Sequence, residues 1–375
     1  MTTAATPWRT AGLAATVGLD RQVVLAFVVS RLLVLAAAVA AETVMARNPA
    51  LTSGDSAPIL RSLTSWDGWF YLGIVRDGYH AEAVTGAYRD VAFLPLFPMV
   101  VRLLSAPWPA FAGLVAVLVA NAAALLGLGL LVRLGERHFS REKAVLAASL
   151  LAIYPFASPF ALAYSESLFL LTMVAAFLAA ETRHRAWAGL LLGLACVCRF
   201  QGLVLILPLW LIMLRQDGWR PRLSHAWLLF GPAAAAGYLL FVAALTGRLT
   251  GYFDALRAWG RAGIGGSAPQ DTIAARFSLY QAALVAILCW SVFMLVWVRR
   301  DRIRSEYALV PVLFIGALMS SGSLESVGRV TMLAFPYAWL LAGRRSVLAR
   351  RVWPVLSAGL FTVIAALSFA GYWVP

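Results

Sequence analysis

The residues best placed to do chemistry lie close together: Ser65-Trp66-Asp67-Gly68-Trp69-Phe70-Tyr71, then Ile74, Arg76 and Gly78-Tyr79, then Phe93-Leu94-Pro95-Leu96-Phe97-Pro98. One carboxylate, Asp67, stands among aromatic rings. Rings of that kind stack on a sugar and exclude water, and a carboxylate held between them can act as a general base. The plainer reading is that the Trp and Tyr rings anchor at a membrane interface while Asp67 caps a helix. Arg31, Arg199, Arg329 and Glu166 lie within or at the ends of apolar runs, where an ionisable side chain is costly and therefore a functional candidate by default. Arg199 and Arg329 could instead snorkel to an interface, and Arg31 could partner an acid elsewhere. Glu166, directly after Ser165, either begins a helix whose dipole favours it or faces Asp67 across a cavity, orienting an acceptor or an arginine.

The elements that must position these residues are apolar helices. Of 375 residues, 62% are hydrophobic and 13% charged, whereas soluble domains run near about half and about a quarter. That excludes an ordinary water-soluble enzyme and predicts an all-α polytopic membrane protein. The first apolar run, 22–44, is longer than a cleaved signal and carries Arg31 near its middle, so it is read as a retained span. Later spans are expected near 111–134, 144–161, 166–181, 186–198, 203–214, 226–246, 279–298, 306–321, 330–343 and 352–373, giving about 11 transmembrane helices. A break at Arg199-Phe200-Gln201-Gly202 divides what could otherwise be one long helix over 186–214. With a cytoplasmic N-terminus, 19 of the 31 basic residues fall in short cytoplasmic connectors, as the positive-inside bias requires.

The whole chain, 1–375, then forms a single integral membrane domain. A first external loop and re-entrant or surface segment occupy 45–107, with the proline-rich 91–107 too short to span, and a second large external loop occupies 247–278. The formal charge of +14 is arginine in the connectors and forms no continuous basic stripe, so nucleic acid is not an expected partner. Cys196, Cys198 and Cys289 read as buried small apolar residues, and the four histidines are scattered. No cofactor is expected; a divalent metal held by Asp67 with other loop acids is the alternative. His80 reads as an exposed loop residue and Asp254 and Glu325 as solvated loop charges.

The order Trp66-Asp67-Gly68, Ile74, Gly78-Tyr79 and Phe93-Leu94-Pro95-Leu96-Phe97-Pro98 resembles the signature of the GPI mannosyltransferase II (PIG-V-like) family and its bacterial relatives, of the C-type glycosyltransferase superfamily. Ser30-Arg31-Leu32, Tyr164-Ser165-Glu166-Ser167-Leu168-Phe169, Arg199 to Gly202, and Arg329 with Phe335-Pro336 follow in the same order. Many relatives carry a histidine shortly after the Trp-Asp pair, where this chain has Trp69-Phe70-Tyr71, so no role for that histidine carries over.

The resemblance implies transfer of a mannosyl or similar hexosyl unit from a polyprenyl-phosphate sugar to a lipid- or protein-linked acceptor on the external face, with inversion. Asp67 would be the base, Arg199, Arg31 and Arg329 the donor-phosphate residues, and Trp66, Trp69, Tyr79 and Glu166 the sugar and acceptor contacts. Membrane lipids are the surrounding partner, and a bacterial plasma membrane the expected location. Two readings from other classes compete: a lipid or small-solute transporter or flippase, with the charged residues forming a substrate path, and a non-catalytic subunit of a glycosylation complex.

Overall fold

The computed structural model describes residues 18–46, 57–81, 90–258, 279–300, 303–320, 324, 326–343 and 351–372. Most of the expected second external loop (259–278), parts of the first (47–56 and 82–89), Glu325 and the arginines at 344–350 lie outside the described residues. The described residues are helical with no strand, in sixteen α-helices. In chain order these are α1 Arg21–Thr43, α2 Pro58–Leu63, α3 Asp67–Asp77, α4 Leu96–Ser105, α5 Ala112–Glu136, α6 Arg141–Ala152, α7 Glu166–Glu181 and α8 Arg185–Cys198. They continue with α9 Ile206–Gln216, α10 Phe230–Thr246, α11 Gly251–Ala258, α12 Leu279–Arg300, α13 Ser305–Ser320, α14 Val327–Leu333, α15 Pro336–Ala342 and α16 Trp353–Phe369.

Three helical stretches among the described residues are long and apolar enough to cross a membrane: Arg21–Thr43, Pro109–Glu136 and Leu223–Thr246. Their outward residues are apolar. Leu25, Leu32 and Val39 of α1 are exposed, as are Leu240 and Phe241 of α10, which suits helices whose solvent is hydrocarbon rather than water. Inside, α7 is the central element, packed against α5 on one side and α8 on the other, with α10 beyond α8. Small residues allow close approach: a Cβ on Gly127 of α5 would meet the Leu171 backbone nitrogen of α7 at 3.3 Å.

Prolines explain two departures from the expected spans. The stretch 144–161 is not one helix, because α6 ends at Ala152 and Pro155 and Pro159 hold the chain in turns up to Ser165. Proline lacks the amide donor and disfavours helical geometry in the residue before it. For the same reason 330–343 is divided at Pro336 into α14 and α15. Within 91–107, Leu96–Ser105 form the short helix α4, which buries Phe97 and Val101 and exposes Met99, Leu103 and Leu104.

At the expected break, α8 stops at Cys198, Arg199 is extended (φ −152°, ψ 138°), and a 3-10 turn over Phe200–Leu205 leads into α9. Gly202 makes the break possible. A Cβ there would lie 2.7 Å from the Cys196 nitrogen and 2.8 Å from the Ala195 carbonyl carbon, backbone atoms that cannot swing aside. Gly202→Ala is therefore expected to destabilise the protein by about 1–3 kcal/mol, read as a lower melting temperature in detergent; an unchanged melting temperature would show that the turn does not need this close approach.

Candidate active site

Four of the residues singled out in the sequence meet in one buried chain of ion pairs. Glu166, the first residue of α7, is 0% exposed. Its Oε1 lies 2.7 Å from Arg199 Nη1 in an ion pair and accepts from Arg329 Nη1 at 3.3 Å. Arg329, in the first turn of α14, also donates through Nη1 to Asp67 Oδ2 in a short hydrogen bond. The order is thus Asp67, Arg329, Glu166, Arg199, drawn from α3, α14, α7 and the break after α8. Two carboxylates balance two guanidinium groups. An unpaired charge at such a site would cost several kcal/mol, whereas here each charged group faces one of opposite sign.

Asp67 arrives there by an unusual backbone. It is the first residue of α3, where its charge meets the positive end of the helix dipole. The preceding Trp66 sits at φ 56°, ψ −120°, a region that a bulky side chain avoids at a cost of about 1–3 kcal/mol. Its indole Nε1 donates to the Ser368 carbonyl at 2.9 Å, tying the turn to α16. A backbone bond from the Ala163 amide to the Leu63 carbonyl, 2.9 Å, fastens the segment before α7 to the end of α2. Strained conformations kept by such over-determination are typical of working sites.

The site is charge-balanced but not saturated with hydrogen bonds. Glu166 Oε2, Arg199 Nε and Arg329 Nε are buried without a hydrogen-bond partner among the described residues, and Asp67, 23% exposed on its side chain, offers an Oδ1 without one. Buried polar atoms are nearly always paired, so several unpaired ones around a single point mark a place where a polar ligand or water completes the network.

The other expected site residues stand differently. All three guanidinium nitrogens of Arg31 are engaged: Nε with Asn121 Oδ1 at 2.6 Å, Nη1 with Ser30 Oγ at 2.9 Å and Nη2 with the Phe160 carbonyl at 2.9 Å. That carbonyl also accepts from Ser167 Oγ at 3.1 Å, so Arg31 braces the segment leading into α7 from behind. Trp69 is 39% exposed on α3. Tyr79 lies in a separate aromatic cluster, with its hydroxyl on the Phe93 carbonyl at 2.7 Å and its ring against Tyr238 and Phe241.

Three features escaped the sequence. Ser165 does not cap α7 as its position suggests; its hydroxyl instead accepts from Tyr71 at 2.8 Å and from Arg199 Nη1 at 3.2 Å. Tyr71 was legible in principle, since it follows Asp67 by four residues on one face of a helix. His80 is not a bare loop residue, because its Nδ1 lies 2.9 Å from Oδ2 of the buried Asp90. Among the described residues no group of three or more His, Cys, Asp or Glu side chains could hold a metal ion.

Residues 22–215, just over half of the 375, match the family model described as Mannosyltransferase (PIG-V). No curated protein matches by sequence. Among solved structures the chain is similar to the oligosaccharyltransferase of Archaeoglobus fulgidus. Tethered to an acceptor peptide containing the NVT sequon, that structure gives a TM-score of 0.51 at 14% identity, covering 95% of this chain and 56% of the other. The archaeal oligosaccharyltransferase AglB from the same organism, in complex with an inhibitory peptide and a dolichol-phosphate, gives 0.51 at 14% identity, covering 96% and 57%. The chain therefore shares the fold of those enzymes and spans just over half their length.

The pairing predicts an order of stabilities. Glu166→Gln strands Arg199 without a carboxylate in a buried setting, leaves Arg329 with Asp67 alone, and should cost about 3–5 kcal/mol. Asp67→Asn, at the exposed end of the chain with Glu166 still on Arg329, should cost less. Melting temperatures of the two variants in detergent test this, and an equal or reversed order would contradict the assignment of Glu166 as the central charge.

Proposed function

The chain belongs to the mannosyltransferase (PIG-V) family, and from that membership we propose that it is a membrane glycosyltransferase moving a mannosyl or related hexosyl unit from a polyprenyl-phosphate sugar to a lipid- or protein-linked acceptor. The observation that carries the reading is the convergence of Arg199 and Arg329 on Glu166 while Arg329 also holds Asp67. A base and two phosphate-binding cations are thereby within one small network. The dolichol-phosphate bound by AglB supports a lipid-phosphate donor for a chain of the same fold.

In this mechanism the donor phosphate is taken by Arg199, helped by Arg329, whose planar forks suit a phosphate. Asp67 Oδ2 stays oriented by Arg329, and Oδ1 receives the acceptor's hydroxyl proton. As the proton leaves, the acceptor oxygen bonds to the anomeric carbon from the face opposite the phosphate. The bond between that carbon and the phosphate oxygen breaks with its electron pair going to the phosphate, so the product is inverted. Growing negative charge on the leaving phosphate meets a preorganised pair of cations, which is where electrostatic catalysis is largest. Glu166 Oε2 and the rings of Trp66 and Trp69 are the contacts for sugar or acceptor hydroxyls, Tyr79 lines the approach from the neighbouring aromatic cluster, and Arg31 supports the site from behind.

The site belongs on the external face of a bacterial plasma membrane, with about eleven spans, α4 as the re-entrant or surface segment, and the N-terminus inside. The test is radiolabelled transfer from synthetic polyprenyl-phosphate mannose to membrane lipids and proteins by matched amounts of wild type and Asp67→Asn. Loss of a positioned base should lower the rate by about 10²–10⁴-fold. Normal transfer by the variant would remove Asp67 from the role, and no transfer by wild type from any polyprenyl-phosphate sugar would favour a transporter or subunit.

A further inference from the structure

Tyr71 and Ser165 form a second link between the motif helix and the arginines, one that the reaction itself does not call for. Tyr71 is 4% exposed, and its ring packs edge-on against Phe93 and Phe97 at 5.1 and 5.0 Å between centroids. A phenol hydroxyl buried that deeply needs a partner, and the partner is Ser165 Oγ at 2.8 Å. Ser165, itself 0% exposed, stands at the N-cap of α7 with φ −79°, ψ −14° rather than the extended geometry that lets a serine cap its own helix. Its hydroxyl is turned away from the helix amides and accepts from Arg199 Nη1 at 3.2 Å.

Arg199 Nη1 consequently sits between two acceptors, Glu166 Oε1 at 2.7 Å and Ser165 Oγ at 3.2 Å. Either acceptor alone would let Nη1 swing about it, whereas the two together fix where that nitrogen lies. With Tyr71 donating into Ser165, the serine oxygen is fixed as an acceptor facing the arginine; without that donor the hydroxyl can rotate back toward the orphan amides at the start of α7. Asp67 and Tyr71 lie four residues apart on α3, so one helix face sets both ends of the network: Asp67 through Arg329, and Arg199 through Ser165. Reactions in which a base and a leaving-group clamp must act on the same molecule depend on this kind of fixed separation.

We propose that Tyr71 is a positioning residue that, acting through Ser165, aims the Arg199 guanidinium at the donor phosphate. The proposal rests on the reading of Arg199 as the principal phosphate contact. Tyr71→Phe keeps the packed ring and removes only the hydroxyl, and Ser165→Ala removes the intermediate acceptor. The experiment measures binding of a short-chain polyprenyl phosphate, and of the corresponding polyprenol without phosphate, to purified full-length protein in detergent, together with each variant's melting temperature.

Each single variant is expected to bind the phosphate about three- to tenfold more weakly, the range for one ordinary hydrogen bond. Polyprenol binding should not change. The double variant should bind like Ser165→Ala alone, since the two hydroxyls act in series. Wild-type binding by Tyr71→Phe, additive losses in the double variant, or an equal loss for polyprenol would each overturn the relay while leaving the donor reading intact. If wild type itself does not prefer the phosphate to the polyprenol, the donor reading fails and the relay falls with it. Should Tyr71→Phe not fold, Ser165→Ala with its polyprenol control decides the same question.

Discussion

A carboxylate with no access to solvent, Glu166 at the start of α7, is the constraint around which the rest is arranged. Apolar surroundings do not tolerate such a charge alone. Two arginines must reach it: Arg199 from the break after α8, and Arg329 from the first turn of the short helix α14. A continuous helix presents its side chains along a fixed face, while an interrupted one can turn a side chain inward at the membrane's depth if the freed backbone is buried in protein. The break after α8, costly in itself, is what lets Arg199 join charges that three other elements place from their first turns.

The opposite end of α7 is anchored in a similar way. Glu181, its last residue, accepts from Tyr307 at 2.8 Å and from Arg304 at 3.0 Å, and Glu306 takes Arg215 at 2.8 Å and Arg304 at 3.1 Å. The two clusters stand at the ends of a 16-residue helix, about 22 Å apart. The central helix is thus pinned at both ends by charge networks and along its length by close packing against α5 and α8. The position of Glu166 relative to the motif helix is held by the whole bundle and does not rely on a loop.

Much of this was legible from the amino-acid order because it rests on local rules. Apolar runs of bilayer length mark α1, α5 and α10, and the interruption at Arg199 to Gly202 is visible as a charge and a glycine inside an apolar stretch. The carboxylate among aromatic rings and the charges in apolar runs stand out in the sequence as a group, and four of them meet. What could not be read is who pairs with whom. Arg329 and Asp67 are 262 residues apart, and Arg199 and Ser165 are 34 apart, so their contacts follow from packing that no periodicity encodes. Ser165 shows the limit well: its local signal says cap, and the tertiary structure spends its hydroxyl elsewhere. Arg31, legible as costly, is engaged on every nitrogen by scaffold atoms.

The central claim is that the neutral tetrad of Asp67, Arg329, Glu166 and Arg199 is the place where a lipid phosphate and an acceptor meet. The measurement that tests it most directly is a cryo-electron microscopy structure of the full chain with a polyprenyl phosphate bound. The account predicts phosphate density within hydrogen-bond reach of the Arg199 guanidinium, with Asp67 Oδ1 facing the open side. Phosphate density at another place, with the tetrad unchanged and closed to the lipid, would contradict it.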